Sequence, residues 1–248
     1  MKDRIFLRRV FWLAALLTLC AAVIDAAPWA GGDWRTADRS SAGLSPLPSD
    51  EKGAVVQGFA ARAYDWRGVF AVHSWIAVKE EGAAAYKVYQ VVGWRLRRGL
   101  SAVSIEEDLP DRHWYGKKPR LLFDLRGERA ARVIPRIAEA AASYPWPDKY
   151  RAWPGPNSNT FISHILRRVP EIGVELPPNA VGRDWLGGVA GVSETRTGAQ
   201  VSLLGAAGVT VGARDGIEIN LLGLTFGVDL LRPALKLPLV GRVGLRDK

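Results

Sequence analysis

The chain alternates between stretches with a period of two and stretches with a helical period, and this sets its probable elements apart before any motif is read. Residues 54–63 and 69–79 are rich in valine and alanine and read as strands, with turn chemistry at Asp65-Trp66-Arg67-Gly68 between them. From Tyr86 to Arg95, Val88, Gln90, Val92 and Trp94 share one face while Tyr89, Val91 and Gly93 share the other. Apolar groups on both faces predict an inner strand, with Gln90 the odd polar side chain. Leu121-Leu122-Phe123-Asp124-Leu125 predicts a further strand over 120–126. Residues 128–143 carry Ala130, Val133, Ile134, Ile137, Ala138 and Ala141 at helical spacing, with Pro135 as an obstacle inside the run. A second helix is predicted from Ser158 to Val169, with Phe161, Ile162, Ile165, Leu166 and Val169 as its buried stripe and Pro170 as its stop.

After Ala199 the texture changes. Val201-Ser202-Leu203-Leu204-Gly205 matches Ile219-Asn220-Leu221-Leu222-Gly223 at an offset of 18 residues, and Gly208-Val209-Thr210-Val211-Gly212 matches Gly223-Leu224-Thr225-Phe226-Gly227. Two related hairpins with Arg214-Asp215-Gly216 as a tight turn predict a glycine-rich β-meander of three or four strands. The whole predicts an α+β fold with the units 1–30 (signal anchor or signal peptide), 31–53 (linker), 54–198 (main domain) and 199–248 (hairpin extension and basic tail).

The N-terminus changes the picture of where the chain works. Lys2, Arg4, Arg8 and Arg9 precede an uncharged run from Val10 to Ile24, which reads as an export segment or an uncleaved membrane helix with the remainder in the periplasm. The 248 residues are 48% hydrophobic and 24% charged, a globular composition with room for a sizeable core. Most of the net charge of +9 lies at the two ends, in residues 1–9 and 232–248, so the middle offers no nucleic-acid stripe. The single cysteine, Cys20, lies in the N-terminal run, which leaves the domain without a disulfide, a thiol nucleophile or a thiolate metal site. Three isolated histidines lack metal-ligand spacing, no phosphate loop or dinucleotide fingerprint is present, and no cofactor is expected.

One constellation carries candidate chemistry. Trp153-Pro154-Gly155-Pro156-Asn157-Ser158-Asn159-Thr160-Phe161 delivers a hydroxyl to the first turn of a helix, and His73 sits in the strand Val69–Val78. A helix start favours an anion and a strand histidine can take its proton, so His73 and Ser158 are the candidate base and nucleophile. Gln90 and Asp124 are the candidate third members. Ser158 also satisfies an ordinary helix cap, and His73 an ordinary buried histidine. His113 reads as a loop or rim residue and His164 as a surface or boundary one. Trp75, Trp114 and Trp153, with Gln90, Asn157 and Asn159, are candidate lining residues of a groove.

The order of Val72-His73-Ser74-Trp75 before Asn157-Ser158-Asn159-Thr160-Phe161 resembles the circularly permuted papain-like hydrolases of the NlpC and PPPDE type, over roughly residues 69–169. That resemblance implies a papain-like antiparallel sheet packed on helices, with Ser158 where those families have cysteine. A longer set of motifs resembles a bacterial envelope family, the domain of unknown function 3750, from about Ser40 to Val243: Phe70-Ala71-Val72-His73-Ser74-Trp75, Val91-Val92-Gly93-Trp94, Asp124-Leu125-Arg126-Gly127, the 153–161 segment and Leu222-Gly223-Leu224-Thr225-Phe226-Gly227. The expected function is a non-catalytic module binding an envelope peptide or glycan. The alternatives are a Ser/His-dependent amidase, peptidase or acyl hydrolase, and an assembly factor that uses the C-terminal hairpins.

Overall fold

The computed structural model describes residues 33–244. The predicted export segment and the last four residues lie outside that range. Among the described residues no helix is long and apolar enough to cross a membrane.

The first half is a five-stranded antiparallel sheet in the order β4-β3-β2-β1-β5. Its strands are β1 (Val55–Arg62), β2 (Val72–Lys79), β3 (Lys87–Val91), β4 (Val103–Glu107) and β5 (Arg120–Arg126). β3 is an inner strand, as its two apolar faces require. Two helices, α1 (Gly127–Ala142) and α2 (Ser158–Arg168), cover one face. Val56, Ile76, Val78, Val91, Phe123 and Leu125 meet Val133, Ile137, Phe161, Ile162 and Ile165 there in one core. α1 runs through Pro135, which lies on its exposed side, where the carbonyl left without an amide partner can meet water.

The other face of the sheet carries a smaller, aromatic core of Val55, Phe59, Ala61, Trp75, Ala77, Tyr86, Val88 and Trp114, with Leu44 and Tyr115 packed on it. The described part of the segment expected as a linker belongs to this layer. Asp111 accepts from the Ser41 hydroxyl (2.7 Å) and from the amides of Leu44 (2.5 Å) and Ser45 (3.2 Å), and Tyr86 donates to the Pro46 carbonyl (3.0 Å). Buried Asp111 thereby fixes a glycine- and serine-rich stretch whose composition alone suggests freedom.

The second half is a seven-stranded antiparallel meander, not three or four strands: β6 (Ala190–Val192), β7 (Gly198–Leu203), β8 (Ala207–Gly212), β9 (Gly216–Leu221), β10 (Leu224–Asp229), β11 (Ala234–Leu237) and β12 (Gly241–Gly244), paired in chain order. The offset of 18 continues on both sides of the two copies visible at first reading. Arg196, Arg214 and Arg232 mark the turns at one end, and Gln200, Glu218 and Lys236 hold equivalent places in β7, β9 and β11. The polarity of this sheet is reversed. Gln200, Ser202, Thr210, Glu218, Asn220 and Lys236 are buried, while Val201, Val209, Val211, Ile217, Ile219 and Leu235 are exposed. The buried face lies on Arg183, Asp184 and Glu194. Arg183 bonds Glu218 at 2.7 Å, Lys236 bonds Glu218 at 2.8 Å and Glu175 at 2.6 Å, and Asp184 accepts from Gln200 (2.5 Å) and from Asn220.

Candidate functional site

The site is built where β2 begins and α2 begins. α2 opens with a reciprocal cap. Asn157 Oδ1 accepts from the amides of Asn159 (2.9 Å) and Thr160 (3.2 Å), and the Asn157 amide donates to Thr160 Oγ1 (3.1 Å). The Asn157 side-chain NH2 donates to the carbonyls of Ala152 (3.1 Å) and Val181 (2.9 Å). Asn159 Nδ2 donates to the Val72 carbonyl (2.9 Å) and to that of Val181 (2.8 Å), while its Oδ1 accepts from the Ser74 hydroxyl (2.8 Å). Val72 and Ser74 flank His73, so the first turn of α2 is stitched to the strand on either side of the histidine. The loop leading in has cis peptide bonds at Trp153-Pro154 and Gly155-Pro156. Gly182 has φ of 98°, and a Cβ there would meet the Asn157 amide, so glycine is required next to the cap.

Side chains alternate along β2, and this separates the two candidate groups. Ser74 points to α2; His73 and Trp75 point to the aromatic layer. His73 Nε2 bonds Gln90 Oε1 at 3.1 Å, and its ring stacks on Trp114 with centroids 3.7 Å apart and planes 11° from parallel. Trp114 in turn stacks on Trp94 (5.9 Å) and meets the edge of Tyr115 (5.1 Å). Trp94 is 44% exposed, so the row His73–Trp114–Trp94 runs from a buried imidazole to solvent. Burial pushes the His73 pKa down to about 3; Arg112 adds to this, and the bond to Gln90 opposes it. The imidazole is therefore neutral at physiological pH, and the bond to the Gln90 oxygen assigns its proton to Nε2, which leaves Nδ1 as the acceptor.

Ser158 is buried with its neighbours, at 4% exposure, and among the described residues its hydroxyl has no hydrogen-bond partner. No hydrogen bond joins it to His73 among them. Thus the candidate residues fall into two groups. His73, Trp75, Gln90 and Trp114 meet on the aromatic side, and Asn157, Ser158 and Asn159 meet at the helix start. Trp75 Nε1 is taken by the Pro110 carbonyl (2.7 Å), and both asparagines spend their amides on backbone groups. Trp153 stands apart from both groups: its indole donates to the Leu222 carbonyl (2.8 Å) at a turn of the second sheet, and its ring is exposed.

Of the two candidates for a third member, Gln90 is the one bonded to the histidine; Asp124 lies on β5 and pairs with Arg126 (2.5 Å). His113 is a loop residue bonded to the Ser40 carbonyl (3.0 Å). His164 is buried, not a surface residue: it bonds the Ala140 carbonyl (3.0 Å) and Arg168 (3.1 Å), and burial lowers its pKa to about 4. Among the described residues no group of three or more potential ligands gathers to hold a metal ion.

Sequence reasoning did not single out Trp94, Tyr115 and Tyr150 as members of the ring cluster around Trp114 and Gly93. A signal existed in Gly93-Trp94 at a strand end. Gly93 has no room for a Cβ because the Tyr150 ring lies on it, and the tryptophan that follows is turned out to the rim.

A family model described as protein of unknown function (DUF3750) matches residues 53–185, which span the first sheet, both helices and the candidate site. No curated protein and no solved structure matches the chain.

Proposed function

This chain belongs to the family of proteins of unknown function DUF3750, and we propose that it is an exported envelope protein whose papain-like groove binds a peptide or glycan strand without cleaving it. The observation that carries this reading is the state of His73. An imidazole whose pKa lies near 3 is a poor base for a serine hydroxyl, and this one is held by Gln90 and Trp114 and makes no bond to Ser158. What the groove does offer is a stacking platform. Trp94 presents its ring at the end of the row, and Tyr150, also exposed, lies against the adjoining Gly93. Flat aromatic faces suit sugar rings and peptide side chains alike. The N-terminal basic and apolar segments supply the export and the inner-membrane attachment in this reading.

The test is titration of soluble envelope glycan–peptide fragments into the full chain, followed by tryptophan fluorescence. Trp94→Ala should weaken binding at least roughly tenfold, the loss of one well-placed aromatic contact, while Ser158→Ala should leave it unchanged. Unaltered binding in Trp94→Ala would remove the platform.

A second reading rests on one observation, the unbonded hydroxyl of Ser158 at a helix start. There Ser158 would attack an amide or ester carbonyl, but only after the Asn157 cap releases the amides of Asn159 and Thr160 for the oxyanion and His73 turns from the aromatic layer to act as base. Covalent labelling of Ser158 by a serine-directed acylating probe, lost in His73→Ala, would replace the binding reading with this one.

A further inference from the structure

The outer face of the second sheet carries aliphatic side chains across strand after strand. Val201 of β7, Val209 and Val211 of β8, Ile217 and Ile219 of β9 and Leu235 of β11 stand in register on it. Each is between 43% and 53% exposed. Seven strands about 4.8 Å apart and up to six residues long make a face of roughly 600 Å², at the upper end of the largest apolar patch on a typical monomer. The apolar surface continues at both ends. Leu204 and Leu222 project from the turns beside Trp153, and Leu230 and Leu231 from the turn at the opposite end.

Beneath that opposite end lies a cleft of about 280 Å³ between the two sheets. Arg120, Arg214, Arg232, Lys236 and Arg242 line it, with Glu175 as the only carboxylate among the described residues of the lining. Lys236 is bound to Glu175 and Glu218, and Arg232 and Arg242 to Asp229. The guanidinium groups of Arg120 and Arg214 have no carboxylate or hydrogen-bond partner among the described residues. The Arg120 pKa is lowered by burial and by Arg62, the mark of a cation without a nearby anion. The turns that carry Arg214 and Leu230-Leu231-Arg232 lie at this end of the sheet, so the cleft and the apolar face share that end.

We propose that this face is a docking surface for an anionic phospholipid bilayer: the sheet lies flat, its aliphatic side chains enter the acyl boundary, and lipid phosphates at its arginine end engage Arg120 and Arg214. Charge complementarity selects lipid over a second copy of the chain. A copy would cover the aliphatic side chains but bring another arginine end and no acidic group to the cleft; a bilayer supplies hydrocarbon and phosphate together. A flat orientation also leaves the open edges β6 and β12 at interfacial depth, where water satisfies their backbone groups.

The test reads depth at one position, because the N-terminal apolar run could hold the full chain to vesicles by itself. In the full chain with Cys20→Ser, Ile219→Cys is labelled with an environment-sensitive fluorophore and mixed with vesicles of phosphatidylcholine, with or without phosphatidylglycerol. Nitroxide-bearing lipid should quench this label several-fold more than the same label at Glu107→Cys, on an exposed strand of the first sheet. The quenching should depend on phosphatidylglycerol, and Arg120→Gln with Arg214→Gln should remove that dependence. A label at position 219 that aqueous iodide still reaches in the presence of vesicles overturns the proposal. So does one shielded without lipid in a concentration-dependent way, since a second copy would then be the occupant.

Discussion

The burial of a neutral His73 should make the protein sensitive to acid in a way that one substitution reduces. In the unfolded chain the imidazole takes up a proton near 6.5; in the folded protein it resists down to about 3. The depressed value means that the stabilising contribution is fully present above pH 6.5 and is lost as the pH falls towards 3. The whole shift corresponds to about 5 kcal/mol, and the part lost between pH 6.5 and 4.5 to about 2 kcal/mol. That is a large fraction of the stability of an ordinary domain, roughly 5–15 kcal/mol. His73→Phe keeps a ring against Trp114 and abolishes the proton site. It leaves Gln90 without its partner, which lowers stability by about 1–3 kcal/mol at every pH, but it should reduce the slope by the His73 share, leaving the share of buried His164, whose pKa of about 4 acts in the same direction in both proteins. Urea unfolding followed by tryptophan fluorescence at pH 7, 6, 5 and 4.5 compares the two proteins. Glu175, whose pKa is raised to about 7 by burial and by Glu218, acts in the opposite direction, since a raised carboxylate destabilises as the pH climbs from 4.5 to 7. It is present in both proteins and cancels in the difference. Equal pH slopes, or a His73 ring titrating near 6.5 by NMR, would refute the reasoning.

Other substitutions probe the joints around the site. Glu218→Gln leaves Arg183 and Lys236 buried beside a neutral amide and should destabilise by roughly 3–5 kcal/mol in urea unfolding. Ser74→Ala removes one bond to Asn159 and should cost about 1 kcal/mol, whereas Asn159→Ala also frees the Val72 and Val181 carbonyls and should cost roughly three times as much; equal losses would mean that the asparagine is not the stitch between α2 and β2. Gly182→Ala forces a side chain into a left-handed backbone and against the Asn157 amide, so thermal unfolding should come earlier by an amount equivalent to about 1–3 kcal/mol.

The strands of the first sheet and both helices were legible because each buries one continuous stripe, and burial writes the period into the sequence. β1 and β5 match their expected spans to within a residue at each end. β4 was not foreseen: Val103-Ser104-Ile105-Glu106-Glu107 is a short stretch that ends in acid, and its pairing with β3 makes it a strand. The pairing of β2 with α2 around His73 was visible as an order of motifs. The direction of the imidazole was not, because alternation says that neighbours part company without saying which of them meets the helix. That choice was made by Asn159, whose amide fits between the Val72 carbonyl and the Ser74 hydroxyl.

The second sheet carries the same ambiguity to its limit. A strict alternation of apolar and polar residues fixes a strand but is blind to which face lies inside. Apolar-in is the ordinary outcome; here Arg183, Asp184 and Glu194 lie on the facing segment and make polar-in the paired one. An ionic seam of this kind adds little net stability, since desolvation offsets most of the attraction. It does penalise any sliding or inversion of the sheet, which would strand buried charges. The seam therefore orients the sheet, and the aliphatic face is left outward as its consequence. The turn at Leu222 then ties that face to the start of α2: its carbonyl holds the Trp153 indole, and Gly223 packs against Trp153 and Val181, whose own carbonyl anchors the cap of α2. The chain thus runs from the apolar surface to Ser158 through three fixed contacts. A surface that captured the outer face would hold the start of α2 at a set height above it.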